Sequence, residues 1–227
     1  MFDRLAALAA RWRETSRRAG EPASGPPADE PAAQPARPKL VELVVYAEDC
    51  VLAGQIPLTA DRLSDMLNDG DRFELTGVRV DDLAGGNAWE IRAVELARDE
   101  MLLVHASGPR GNPGRRHRTR QQPIVAKAGP YEVRGYVHSF PGTDAIASLR
   151  RRQPMIALTD AVIEYAVQSR RQERRAGVLI LNRELTDWVV EGHDAEVVMP
   201  EMPVDTSGAL LKDFTGDLLD VETDWNF

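Results

Sequence analysis

Cys50-Val-Leu-Ala-Gly-Gln-Ile-Pro-Leu58 and Tyr131-Glu-Val-Arg-Gly-Tyr-Val-His-Ser139 follow one plan, 81 residues apart. Cys50, Leu52, Gly54 and Ile56 line up with Tyr131, Val133, Gly135 and Val137. Both sets alternate with period two, the spacing that turns one side of a β-strand toward a core. A glycine falls mid-strand in each, the mark of a bend or a close backbone approach. The likeness continues outward. Leu63 to Leu67 matches Ala145 to Leu149 at an offset of 82, and Leu75-Thr76-Gly77 matches Leu158-Thr159-Asp160 at 83. Val94, Leu96 and Arg98 match Leu179, Leu181 and Arg183 at 85, and Leu102, Leu103 and Val104 match Trp188, Val189 and Val190 at 86. Loop insertions into a duplicated unit make an offset grow in this way. Apolar matches alone are cheap; the shared order of elements carries the comparison.

The expected fold is therefore mainly β (α+β): two tandem copies of a small β-rich module, 40–106 and 121–192, each with one short helix. In the first copy, strands are expected around Leu43 to Tyr46, Cys50 to Leu58, Phe73 to Val80, Trp89 to Leu96 and Met101 to Val104. Leu63, Met66 and Leu67 have helical spacing, ended by Asn68 and Gly70.

The flanks read differently. Residues 1–19 pattern as an amphipathic helix, with Leu5, Leu8, Ala9 and Trp12 on one stripe. Residues 20–39 carry six prolines among small and acidic residues, a composition suited to a disordered linker. Residues 107–120 form an Arg-rich linker. Residues 193–227 form an acidic tail in which Leu210, Leu211, Phe214 and Leu218 return to helical spacing before Trp225 and Phe227.

Two local patterns resemble known domains. The stretch Leu179-Ile-Leu-Asn-Arg-Glu-Leu-Thr-Asp-Trp-Val-Val190 breaks at Asn182 to Glu184, which resembles the one-turn break before the last strand of SH3-like and Sm-like small barrels. Arg62-Leu-Ser-Asp-Met-Leu-Asn68 and Leu158-Thr-Asp-Ala161, with the Asn182-Arg183 turn, resemble a family of uncharacterised bacterial domains with an RLSDxLN-type helix and an LTDA-type strand. The first copy departs from that pattern at Gly77-Val78. The resemblance implies a small barrel-like fold, and no function or binding residue comes with it.

Charge divides the two copies. The net charge of −8 hides −9 over residues 40–107, +8 over 108–190 and −9 over 191–227. Such segregation favours attraction between segments, within one chain or between chains. Arginine far outnumbers lysine, which occurs only at Lys39, Lys127 and Lys212, a bias suggesting a GC-rich bacterial genome.

Chemistry is sparse. The single cysteine, Cys50, excludes an intrachain disulfide and fits a reducing compartment. At an alternating strand position it reads as a core residue. His105, His117, His138 and His193 lie far apart, without metal-ligand or catalytic spacing. Neither Gly85-Gly86 nor Gly108 to Gly114 follows a phosphate-loop pattern, so no cofactor and no enzymatic activity are expected. No window approaches a membrane span, and the early apolar run is too short for a signal-peptide core, so the expected location is cytoplasmic.

These readings point to an interaction or adaptor protein with protein partners, docking through Leu5, Leu8 and Trp12 at one end. Leu210, Phe214, Leu218, Trp225 and Phe227 would serve at the other, and a homo-oligomer is compatible. The alternative is a nucleic-acid-binding regulator using Arg110, Arg115, Arg116, Arg118 and Arg120 with Arg150, Arg151 and Arg152. Arg170, Arg171, Arg174 and Arg175 read as a further loop cluster. Sparse aromatics for base stacking, and acidic segments able to absorb the arginines, favour the first. Membrane contact by the basic N-terminal helix is not expected, because its apolar stripe is small.

Overall fold

The structure, a computed structural model, describes residues 38–106 and 119–192. The N-terminal segment, most of the Arg-rich linker and the acidic tail lie outside the described residues, and with them the expected terminal helices.

The first half runs β1 (Lys39–Tyr46), β2 (Cys50–Leu58), α1 (Leu63–Asp69), β3 (Arg72–Asp82), β4 (Ala88–Ala97), a single 3-10 turn at Arg98–Glu100, and β5 (Leu103–Ala106). The second half runs β6 (Arg120–Ala128), β7 (Tyr131–Ser139), α2 (Ala145–Leu149), β8 (Met155–Val167), β9 (Arg170–Asn182), a 3-10 turn at Arg183–Leu185, and β10 (Trp188–Glu191). The fold is mainly β. All ten strands form one antiparallel sheet in the order β10-β6-β7-β8-β9-β5-β1-β2-β3-β4. The first half contributes β5-β1-β2-β3-β4 and the second β10-β6-β7-β8-β9, one internal order used twice.

The mid-strand glycines explain how each half bends. On β2, Gly54 alone fills the space between Ala53 and Gln55, while β3 uses two residues, Gly77 and Val78, between their partners Thr76 and Arg79. On β7, Gly135 likewise faces Asp160 and Ala161 of β8. This is a β-bulge, which kinks the longer strand and sharpens its twist. The first bulged residue has positive φ in both halves, +58° at Gly77 and +49° at Asp160. Glycine takes that conformation freely, and aspartate is among the few other residues that tolerate it. The facing glycine is needed for a different reason. A Cβ at Gly54 would stand 3.0 Å from Val78 Cγ2, and one at Gly135 3.2 Å from the Ala161 Cβ.

Two sequence expectations need correction. Arg170, Arg171, Arg174 and Arg175 do not occupy a loop: they lie on β9, paired with β8 from Val167↔Arg170 to Met155↔Asn182. The hairpin closes on Gln168 and Ser169, both at positive φ (+49° and +64°). That geometry fits the strand twist, although the Gly or Asn that usually announces it is missing. The last strands correspond at an offset of 85 rather than 86. Leu103 stands opposite Tyr46 as Trp188 stands opposite Lys127, one residue beyond the match of apolar triplets.

The core runs through both halves, with Tyr46, Val51, Leu103, Ile124, Tyr131, Val133, Leu158, Ile163 and Leu179 among its buried members. Tyr46 packs edge-on against Tyr131 at 5.3 Å between ring centres and against Tyr165 at 6.0 Å. Such pairs add about 0.5–1.5 kcal/mol beyond the area they bury. Asp144 caps α2 by accepting from the Ile146 and Ala147 amides at 2.8 and 3.2 Å.

Gly135→Val should lower unfolding stability by about 1–3 kcal/mol in urea titrations, because the new side chain meets β8 backbone at the bulge. Asp160→Gly, which frees a left-handed position on an exposed residue, should leave stability equal or higher.

Candidate interaction surfaces

The two halves meet where β5 lies beside β9. Leu103 pairs with Leu181, Val104 with Ile180 and His105 with Leu179. Leu103, Val104, Leu179, Ile180 and Leu181 are all buried, so the seam is apolar except at His105. Asparagines stitch its margins. The buried Asn182 donates through Nδ2 to the Arg98 and Met101 carbonyls at 3.0 and 3.1 Å, while its backbone amide donates to the Leu102 carbonyl at 2.9 Å. Asn68, at the end of α1, mimics a strand partner for Met155. Its Nδ2 donates to the Met155 carbonyl (3.0 Å) and its Oδ1 accepts from the Met155 amide (2.9 Å). The tip of the β8–β9 hairpin also docks on the first half, where the Gln168 amide donates to the Leu83 carbonyl at 2.9 Å and Nε2 to the Gly85 carbonyl. The Tyr131 hydroxyl donates to the Ala47 carbonyl at 2.7 Å.

Two open clefts flank the seam. One, of about 280 Å³, is lined by Asp71, Arg72, Arg98 and Asp99 with Asn182 and Glu184. The other, of about 220 Å³, brings Arg79, Asp81 and Asp82 of the first half toward Tyr165, Gln172 and Arg174 of the second. There Arg79 donates to Asp81 Oδ1 through Nε and Nη2, both at 3.2 Å. Burial raises the Asp81 pKa, and the Arg79 and Arg174 guanidinium groups oppose that rise.

His105, His138 and Cys50 line neither cleft. His138 is held between Thr119 and Thr159 at 3.1 and 3.0 Å. Cys50 is buried, and desolvation first, then neighbouring carboxylates, push its thiol pKa well above the ordinary range. No cluster of metal-ligating side chains occurs among the described residues, and no helix among them is long and apolar enough to cross a membrane.

The arginines expected for nucleic acid divide. Arg110, Arg115, Arg116 and Arg118 lie outside the described residues, while Arg120, Arg150 and Arg151 are exposed. Arg152 is half-buried and structural, donating to the His138 carbonyl and to Ser148 Oγ. Within the second half Arg134 and Arg171 both bind Glu164, and Arg175 binds Glu173 at 3.4 Å. These pairs use the basic half's own acids. The expected docking residues Leu5, Leu8, Trp12, Leu210, Phe214, Leu218, Trp225 and Phe227 all lie outside the described residues.

The sheet edges carry an apolar signal that the sequence reading did not isolate. Of the five large hydrophobic side chains left exposed among the described residues, Trp89 (37%) lies on β4, and Trp188 (45%) and Val190 (49%) lie on β10. These are the outermost strands. Their exposure depends on which strands end the sheet, and a list of strands does not give that order.

Comparison with family models, curated proteins and solved structures gives no match for this chain.

Burial at the seam lowers the His105 pKa from 6.5 to about 4. The folded protein therefore keeps this imidazole neutral where the unfolded chain takes up a proton. Its contribution to stability is full above about pH 6.5 and is lost as pH falls toward 4, by at most about 1.4 kcal/mol per pH unit. Urea titrations at pH 7 and pH 5 should show a smaller acid loss in His105→Gln than in the parent, whatever the variant's stability at neutral pH.

Proposed function

We propose that this chain is a non-enzymatic cytoplasmic adaptor that docks on a larger bacterial assembly. Its body consists of two diverged copies of one five-stranded module, fused through the β5–β9 seam, and its terminal amphipathic segments carry the docking residues. The observation that most supports an interaction role is the placing of Trp89, Trp188 and Val190 on the two outermost strands. Exposed aromatic and aliphatic side chains on outermost strands are features of protein recognition. The repeated strand order and the repeated bulge support the two-copy reading.

The division of charge suggests that the copies share the work rather than doubling one site. The second half carries exposed Arg120, Arg150 and Arg151, which supports nucleic-acid binding as the alternative. Binding to DNA or RNA that weakens steeply with added salt would favour that alternative, and no binding at low ionic strength would remove it.

Deleting residues 1–38 or 206–227 should abolish recovery of the docking partner in affinity purification from native cells, with the far-ultraviolet circular dichroism of the β body preserved. Undiminished recovery after both deletions would overturn the adaptor reading.

A further inference from the structure

The seam inside the chain shows what the two ends of the sheet are shaped to do. β5 of the first half lies antiparallel to β9 of the second. In the repeated order, β10 holds the place of β5 and β4 the place of β9. β10 and β4 are also the outermost strands, each with a strand neighbour on one side only among the described residues. A single chain therefore carries both partners of a second seam, facing opposite ways, and cannot join them to each other without closing the whole sheet.

We infer that β10 of one chain pairs antiparallel with β4 of a second copy, in the register of the internal seam, to build a head-to-tail homo-oligomer. The inference rests on the two-copy reading above. Carrying the seam register across sets Trp188 opposite Leu96 of the second copy, Val189 opposite Glu95 and Val190 opposite Val94.

Two observations carry it, and a third sets its limit. The first is exposure: Leu103, which holds the place of Trp188, is fully buried in the core that both halves share, whereas Trp188 and Val190 are each nearly half exposed. The second is charge. Head-to-tail pairing sets residues 119–192, with 11 basic against 8 acidic side chains, against residues 38–106 of the next copy, with 6 basic against 14 acidic. The third is the shape of the β4 edge. The Ala97 amide, which holds the place of the Asn182 amide that bonds Leu102, is occupied by the Glu100 carboxylate at 2.8 Å. The intermolecular ladder thus ends at Leu96, with one hydrogen bond fewer than the seam makes beside Leu181. A contact that uses different surfaces on its two partners repeats, giving a ring if the rotation per chain closes and a filament otherwise.

The test is the mass of the purified full-length chain by sedimentation velocity across a wide concentration range. Species heavier than the 25.1 kDa monomer, growing with concentration, are expected. Trp188→Lys with Val190→Lys, both at exposed positions, should weaken association at least about tenfold in Kd while leaving the circular dichroism unchanged. The same register sets Glu191 opposite Ala93 of the next copy. A mixture of separately purified Glu191→Cys and Ala93→Cys chains should therefore form an interchain disulfide on mild oxidation, in greater yield than either variant alone.

A chain that stays monomeric at every concentration overturns the inference. So does an assembly indifferent to the double lysine variant, or a full chain that associates only after residues 193–227 are removed, which would show the tail covering the edge. The measurement contains no other protein, so its failure would leave adaptor docking through the termini to be judged by the deletions alone.

Discussion

The β5–β9 seam is the contact on which the rest of the structure depends. A five-stranded half of about seventy residues buries too small a fraction of its surface to be more than marginally stable. Joining Leu103 and Val104 to Leu179, Ile180 and Leu181 lets the two halves share one core. The tyrosine cluster shows the dependence. Tyr46 comes from β1, Tyr131 from β7 and Tyr165 from β8, and the edge-on packing of Tyr46 on the other two exists only when the halves are in register. Asn68 adds a polar constraint, since its two bonds to the Met155 backbone are satisfied in one alignment of α1 against β8. The apolar ladder supplies the stability, while the asparagines penalise slippage, because a shifted register would leave buried amide groups unpaired.

Much of the secondary structure was legible in the sequence because alternation and glycine have direct physical readings. Gly54 and Gly135 stood out mid-strand, and the structure gives each the same task, a close approach opposite a bulge. What escaped was long-range. The outermost strands follow from strand order, so an apolar triplet such as Trp188 to Val190 does not by itself announce an exposed edge. The arginines of β9 read as loop residues because six polar residues run without alternation from Arg170 to Arg175, where neither face of the strand is buried; burial begins at Ala176. The Gln168-Ser169 turn hid the hairpin further. The offset of 86 came from aligning three apolar residues with three others, when pairing to the neighbouring strand decides which residue faces which. No reading of periodicity supplies that information.

The bulge position shows how two halves of different sequence keep one local shape. Gly77 and Asp160 occupy the same left-handed conformation, so the backbone tolerated a residue of higher intrinsic cost in the second half. Charge differs between the halves as well. Arg79 meets Asp81 in the first half, while Arg134 and Arg171 converge on Glu164 in the second, so each half resolves part of its charge locally. The remaining excess, acidic on one side and basic on the other, falls outside these pairs.

The difference between β4 and β9 then acquires a meaning. At the centre of the seam β9 places Ile180, buried at 3% exposure, where β4 places Glu95, exposed and paired to Arg72 at 2.8 Å. Charged side chains on an outermost strand oppose indiscriminate pairing. The internal seam is favoured further by its tether, because a linker between partners raises their effective concentration to the millimolar range. A junction between chains on the same plan lacks both advantages: it would lose the apolar centre and gain no tether. The same strand geometry would then give a permanent bond inside the chain and a reversible one at its ends, with Glu95 and Glu100 setting the difference.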